Sequence, residues 1–328
     1  VVGIVGEPGV GKSRLLLEFI RSLPRDAYTY LEGECPQYGS SIPYLPFLEI
    51  LRAYFGFTEG EQEFLIKSKL EQGIAHLDEK LRGFLPPLQD ILSLKVENKE
   101  YLKLEPQQRR EQAFDALRAI LVRESQNKSL ILAIDGLQWM DKTSEEFLNY
   151  LIGGLASTHI LLVLLYRPEY TNPWVSKTYY SQVRTDQLPP NMSSDLVQAI
   201  LGGEDVAPPL RTLILDRATG NPLFMEELTH SLLENGSIKK KDHQYVLSRK
   251  PSEIQVPETI QGIIAARIDR LQEDLKHTMQ VASVIGKDFA YRILQTITGM
   301  QQELKTWLLN LQELEFIYEK SLFPELEY

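Results

Sequence analysis

Apolar residues along this chain follow two rhythms. VVGIV at 1–5, AYTYLEGEC at 27–35, LILAID at 130–135 and HILLVLLY at 159–166 are short apolar runs that predict strands. The last two are apolar throughout, the pattern of strands buried on both faces of a sheet. Between these runs the spacing lengthens to three and four. SRLLLEFIRSL from Ser13, and the stretch from Pro106 to about Glu124, predict amphipathic helices. Residues 48–105 read as a helical region broken at Pro86-Pro87, and PQYGSSIPYLPF, with its three prolines, reads as a loop. Strands that alternate with helices predict a parallel sheet with helices on both faces.

After about residue 188 the strand-like runs stop. DLVQAILG, PLRTLILDRATG and PLFMEELTHSLLENG predict short helices with glycine stops, and QYVLS a short strand. TIQGIIAARIDRL, DLKHTMQVASVIG, YRILQTIT and LKTWLLNLQELEFIYEK predict a second helical cluster that closes in a strand-like turn. KKKD at 239–242 reads as a solvated turn. The expected organisation is an α/β core over 1–187 with a helical insertion at about 48–105, an all-helical lid over 188–236, and a further domain over 237–328.

A length of 328 residues, 43% hydrophobic and 24% charged, suits two or three domains, each with its own core. ILLVLLY is far too short to span a bilayer, so the expected location is cytoplasmic. The chain opens on its first strand without an initiator methionine, which predicts a piece cut from a longer protein. A net charge of −10 and a pI near 5.2 argue against a nucleic-acid surface, which needs clustered Lys and Arg. Cys35 is the single cysteine. It excludes a disulfide framework or cysteine-rich zinc site and reads as a small buried residue.

The strongest chemical signal is GEPGVGKS at 6–13, a complete G-x-x-x-x-G-K-[ST] between an apolar strand and an amphipathic helix. Gly6, Gly9 and Gly11 would admit positive φ and let backbone N–H groups close on phosphate oxygens. The helix start adds its positive dipole end. Lys12 would meet the β- and γ-phosphates, and the Ser13 hydroxyl would ligate Mg²⁺. Gly6, Glu7, Pro8, Gly9, Val10, Gly11, Lys12, Ser13 and Arg14 form the expected nucleotide-binding stretch.

Such a site needs a carboxylate at the end of a neighbouring buried strand, and Asp135 stands there. Arg167 ends the next apolar strand, on the edge where open α/β sheets bind ligands. It is placed either to meet a γ-phosphate or to make a surface ion pair. Pro222, after Gly220-Asn221, stands at a helix start, a position proline takes without any functional reason. Arg109 and Arg110 would suit the acceptor side of a small-molecule kinase or simply the exposed face of a helix.

GEPGVGKSRLLLEF, LEGECPQYGSSIPYLPF, IDGLQWMD, YRPE, GNPLFMEEL, PETIQGIIAARIDRL and the closing FPELEY together resemble one family along the whole chain. It is the AAA-like ATPase region of STAND signalling ATPases, especially those behind class III adenylate or guanylate cyclase domains. The resemblance implies an α/β P-loop core, a helical lid and a winged-helix domain, truncated here at its C-terminal end, with ATP or ADP and Mg²⁺ as cofactors. It implies a cyclase output domain ahead of the chain and helical repeats behind it, or a separate protein, as partners. Arg167 becomes the first sensor arginine, Asp135 the metal acid, and Pro222 the proline of a G-x-P element packed on the adenine and ribose side of the nucleotide.

Two departures stand out. Gln138 replaces the usual histidine, and Gly136 replaces the second acid expected to orient the attacking water, so hydrolysis is expected to be weak. Asp141 and Glu169 are the nearest acids that could substitute, and an aspartate restored at 136 would be expected to raise turnover. Two rivals to a nucleotide-dependent switch are a small-molecule kinase and the ATPase of a transcription regulator. Residues 256–328 hold 7 Lys and Arg against 11 Asp and Glu, the wrong sign for reading DNA.

Overall fold

The computed structural model describes the chain except residues 25, 59, 301–302 and 320–325, and the side chain of Tyr38. Two compact units are present, Val1–Gln187 and Leu188–Tyr328.

The first unit runs β1 (Val2–Val5), α1 (Lys12–Ser22), β2 (Tyr28–Glu34), α2 (Leu45–Phe55), α3 (Glu63–Leu77), α4 (Leu85–Ile91), α5 (Lys99–Leu102), α6 (Pro106–Asn127), β3 (Ser129–Asp135), α7 (Lys142–Gly153), β4 (Ile160–Tyr166) and β5 (Ser181–Arg184). The strands form one sheet in the order β2-β3-β4-β1-β5, every neighbouring pair parallel. Alternation along each strand sends successive side chains to opposite faces. Ile131 and Ala133 of β3, with Ile4, Val163 and Leu165, pack under Leu16 of α1. Leu130, Leu132 and Ile134 face the other way and join Phe47, Leu117, Ile120, Phe147 and Leu148 in the larger core. The expected parallel sheet with helices on both faces is what forms.

Proline misled the reading of boundaries. Leu45, Pro46 and Phe47 are not loop: they open α2, with Pro46 in the first turn, where no N–H is lost. Pro86 and Pro87 likewise lie at the start of α4 rather than breaking a helix. Helix α7 and strand β5 were not foreseen. Ser181–Arg184 is exposed at every position, so this edge strand shows no apolar run.

The second unit comprises α8 (Pro190–Ile200), β6 (Asp205–Val206), α9 (Pro208–Ala218), α10 (Pro222–Glu234), β7 (Ile238–Lys241), β8 (Gln244–Leu247), α11 (Ile260–Asp269), α12 (Glu273–Ile285), α13 (Tyr291–Thr298) and α14 (Glu303–Glu313). The run KKKD is mostly strand: Lys239–Lys241 pair antiparallel with β8, and only Asp242 lies in the turn. Asp205 and Val206 add a short parallel strand to β8. Of the closing FPELEY, Phe323–Glu325 lie outside the described residues. Glu327 makes a β-bridge to Ala290, and the Tyr328 ring stacks on Phe289 at 5.9 Å.

Arg267 clasps this unit. It is 3% exposed, and its guanidinium donates to Glu227 (2.7 Å), to Glu234 (2.6 and 2.8 Å) and to the Leu314 carbonyl (2.9 Å) while lying over the Phe316 ring. A charge taken this far from water persists only when nearly all its donors are used. Arg267→Met would leave Glu227 and Glu234 without their shared cation, and is expected to destabilise this unit by about 3–5 kcal/mol. Urea unfolding measures this. An unchanged midpoint would mean the clasp contributes nothing.

Candidate functional site

The parallel strands end on one edge of the sheet, and the chain leaves β1 there as the Gly6–Lys12 loop. Gly9 and Gly11 have φ of 79° and 98°, as their residue type predicts. Gly6 is needed for a different reason: a Cβ there would lie 2.5 Å from the Thr185 carbonyl oxygen, so it serves close approach and not positive φ. Gly11 caps α1 without a side-chain hydrogen bond, which leaves the first N–H groups of the helix directed at the loop. That arrangement suits an anion.

Lys12 lies over this loop, its Nζ donating to the carbonyls of Gly6 (2.9 Å) and Glu7 (3.0 Å). Partial burial lowers its pKa; Asp135 opposes that shift, while Arg167 reinforces it. The Ser13 hydroxyl donates to Asp135 Oδ2 at 2.8 Å. The predicted metal ligands thus meet across the sheet edge, an alcohol and a carboxylate oxygen of the hard type that Mg²⁺ takes.

Arg167 follows β4 directly. Its N–H is held by Gln138 Oε1 at 3.2 Å, its guanidinium lies 4.5 Å from the centre of the Trp139 ring, and Glu169 is 3.8 Å away. The turn after β3 therefore positions this arginine through two of its side chains, and Gln138 has a definite task. Glu7, Val10 and Gly6, with Pro168 and the Arg184–Gln187 segment, line an open cleft of about 420 Å³ beside the loop. Arg14 points along α1 to Glu18 at 2.9 Å. Pro222 belongs to the second unit, where it opens α10 behind Asn221, whose side chain accepts from the Phe224 N–H at 3.1 Å.

Gly136 has φ of 79°, and a Cβ on it would come 2.7 Å from the carbonyl oxygen of Cys35. The backbone conformation and the space both demand glycine. An aspartate placed at 136, from which higher turnover is expected, would meet both this backbone conformation and the Cys35 carbonyl. Asp141 is 7% exposed and caps α7, its Oδ1 accepting from the Ser144 N–H at 2.9 Å. Cys35 is buried as expected, and burial, with Asp141 next in effect, pushes its thiol up. Glu34 was passed over in the sequence, yet it lies in register beside Asp135 on the neighbouring strand.

Residues 1–163 match the AAA ATPase domain family, and residues 190–244 match a domain of unknown function (DUF8739). An uncharacterized protein of Rhizobium meliloti is 23% identical over 306 residues, which cover 90% of this chain and 28% of that protein. The crystal structure of a Signal Transduction ATPase with Numerous Domains (STAND) protein with a tetratricopeptide repeat sensor, from Pyrococcus horikoshii, aligns over 100% of this chain and 38% of its own. Its TM-score is 0.52 at 15% identity, a likeness of fold. The structure of Drosophila ORC bound to DNA aligns over 99% of this chain and 85% of its own, with a TM-score of 0.38 at 14% identity, too low to carry an argument. The chain thus spans well under half the length of the bacterial relative and of the STAND structure. Residues 1–163 are thus similar to an AAA ATPase domain, and their five-stranded parallel sheet has a P-loop AAA-like fold. Among the described residues no helix is long and apolar enough to cross a membrane.

Gly136→Asp is expected to lose about 1–3 kcal/mol of stability, from left-handed backbone strain and the blocked Cβ, with no gain in ATP turnover. Urea unfolding alongside single-turnover hydrolysis checks both halves.

Proposed function

We propose that this chain is the ATP-dependent switch module of a larger STAND-type signalling protein, with Mg²⁺–ATP held by the Gly6–Ser13 loop and Asp135. The observation that carries the reading is the 2.8 Å contact of Ser13 with Asp135, beside the half-buried Lys12. An alcohol, a carboxylate and an ammonium are gathered at a helix start capped by glycine, an arrangement suited to the β- and γ-phosphates and their metal ion. Arg167 extends the positive charge from the end of β4 and would sense the γ-phosphate.

Residues 188–236 would act as a lid carrying Pro222 toward the adenine and ribose side, and residues 237–328 as a winged helix that packs on protein. ATP and ADP would favour different packings of these parts, which requires that the two nucleotides bind the two arrangements with different affinity. Gly136 leaves the usual base position empty of acid, so occupancy outlasts turnover. The fitting output is a class III adenylate or guanylate cyclase domain outside this chain, with helical repeats beyond its other end, in the cytoplasm.

The kinase alternative is weakened by what its arginines do. Arg109 donates to the carbonyls of Leu102 and Leu104, and Arg110 pairs with Glu146 at 2.7 Å. Neither faces the phosphate loop as an acceptor clamp would. A DNA-reading regulator needs a basic surface, and the closing region carries net negative charge.

Lys12→Ala is expected to weaken ATP binding by roughly a hundredfold, the loss of charge-assisted hydrogen bonds to phosphate. Equilibrium dialysis measures it, and wild-type affinity in a folded variant would remove the loop from the site. Pro222→Ala is expected to weaken both adenine nucleotides and to blunt the difference between ATP and ADP in limited proteolysis. Unaltered affinities and cleavage would separate Pro222 from the nucleotide.

A further inference from the structure

We propose that Glu34 is the carboxylate that orients and deprotonates the attacking water, in place of the acid that position 136 cannot carry. The proposal rests on the nucleotide site described above.

Three observations place Glu34. Strands β2 and β3 are parallel and in register, with Glu34 opposite Asp135, and the ladder continues through the Cys35 N–H to the Asp135 carbonyl at 2.8 Å. The two side chains share a face. Ile131 and Ala133 of β3 pack in the layer under α1, and Asp135 continues their alternation. Tyr28 and Tyr30 of β2 pack against the same layer, and Glu32 and Glu34 continue theirs. The third observation is electrostatic: Glu32, Asp135 and Glu34 all act on the half-buried Tyr30 hydroxyl, so their charges converge above one patch of the sheet edge.

The order of the strands then gives Glu34 a direction. The phosphate loop rises from β1, the metal acid from β3, and Glu34 from β2, the strand beyond. In-line displacement needs the nucleophile opposite the leaving group. With ADP leaving toward the loop on β1, the attacking side is the β2 side. Adjacent strands are about 4.8 Å apart, and a glutamate carries its carboxylate one methylene further than an aspartate does. The neighbouring acids stand at other positions, and Glu34, like them, has a partner in the structure. Asp141 caps α7. Glu169 sits beside Arg167 and within the field of Lys12, on the β4 side. Glu32 accepts from the Tyr30 hydroxyl at 2.7 Å.

In the step itself the water oxygen bonds to the γ-phosphorus as the bond from that phosphorus to the bridging oxygen of ADP breaks. The water proton passes to the Glu34 carboxylate and from there to the departing phosphate, so the products are ADP and inorganic phosphate. The backbone of Glu34 is pinned by its N–H to Glu49 Oε2 at 2.8 Å, which holds the strand end against α2.

Glu34→Gln is the test, on the chain as it stands. Single-turnover hydrolysis of Mg²⁺–ATP should fall by roughly 10²- to 10⁴-fold, the usual worth of general-base help. Binding supplies a second readout. Removing a negative charge that faces the γ-phosphate should raise the affinity for a non-hydrolysable ATP analogue, relative to ADP, by at least about threefold. Glu34→Asp, which keeps the acid but shortens it, should retain part of the rate and leave that ratio near wild type. Full turnover in Glu34→Gln, an unchanged analogue-to-ADP ratio, or a wild type that binds ATP without hydrolysing it would each overturn the proposal. Failure of the wild type to bind ATP would instead remove the nucleotide site itself.

Discussion

The hydrogen bond from Ser13 Oγ to Asp135 Oδ2 joins residues 122 apart in sequence, and the rest of the site is arranged around it. It forms only because β1 and β3 end on the same edge of one sheet, with β4 between them. That alignment rests on burial: Leu130, Leu132, Ala133 and Ile134 are fully enclosed, so a one-residue slip of β3 would turn apolar side chains out of both layers. The first turn of α1 is held down by Leu16 in the layer beneath it. A carboxylate at the rim of so apolar a strand is not there to stabilise the sheet. Its worth lies in the charge it presents beside Lys12.

What could be read from the sequence follows the same division between buried and exposed. β3 and β4 announced themselves because a strand covered on both faces must be apolar throughout, and the glycine-rich loop did so because backbone closing on phosphate restricts residue type. β5 shows neither signal. Its side chains are exposed, and only hydrogen bonds to β1 make it a strand. The prolines at 46, 86 and 87 were misread because the residue that ends a helix also begins one, and the composition of the segment does not say which. Within the site, Lys12, Ser13 and Asp135 were legible as residue types in a motif. The role of Gln138 was not, since it depends on the Arg167 N–H 29 residues away in the chain.

Gly136 shows how one backbone constraint redistributes chemistry. The chain leaves β3 in a left-handed conformation, packed so closely on the Cys35 carbonyl that no side chain fits. In return, Gln138 and Trp139 are brought round to hold Arg167. The turn that disfavours an acid at 136 is therefore the turn that positions Arg167, and the two features belong to one geometry. Any carboxylate that serves the water must then come from a different strand, and its distance from the phosphate is set by strand spacing rather than by the length of this turn. The proposed base, Glu34, would stand on the strand beyond Asp135 and would reach across that carboxylate to the water. Slow turnover with firm binding would suit the proposed nucleotide-timed switch, and the places that the sheet allows for acids would favour it.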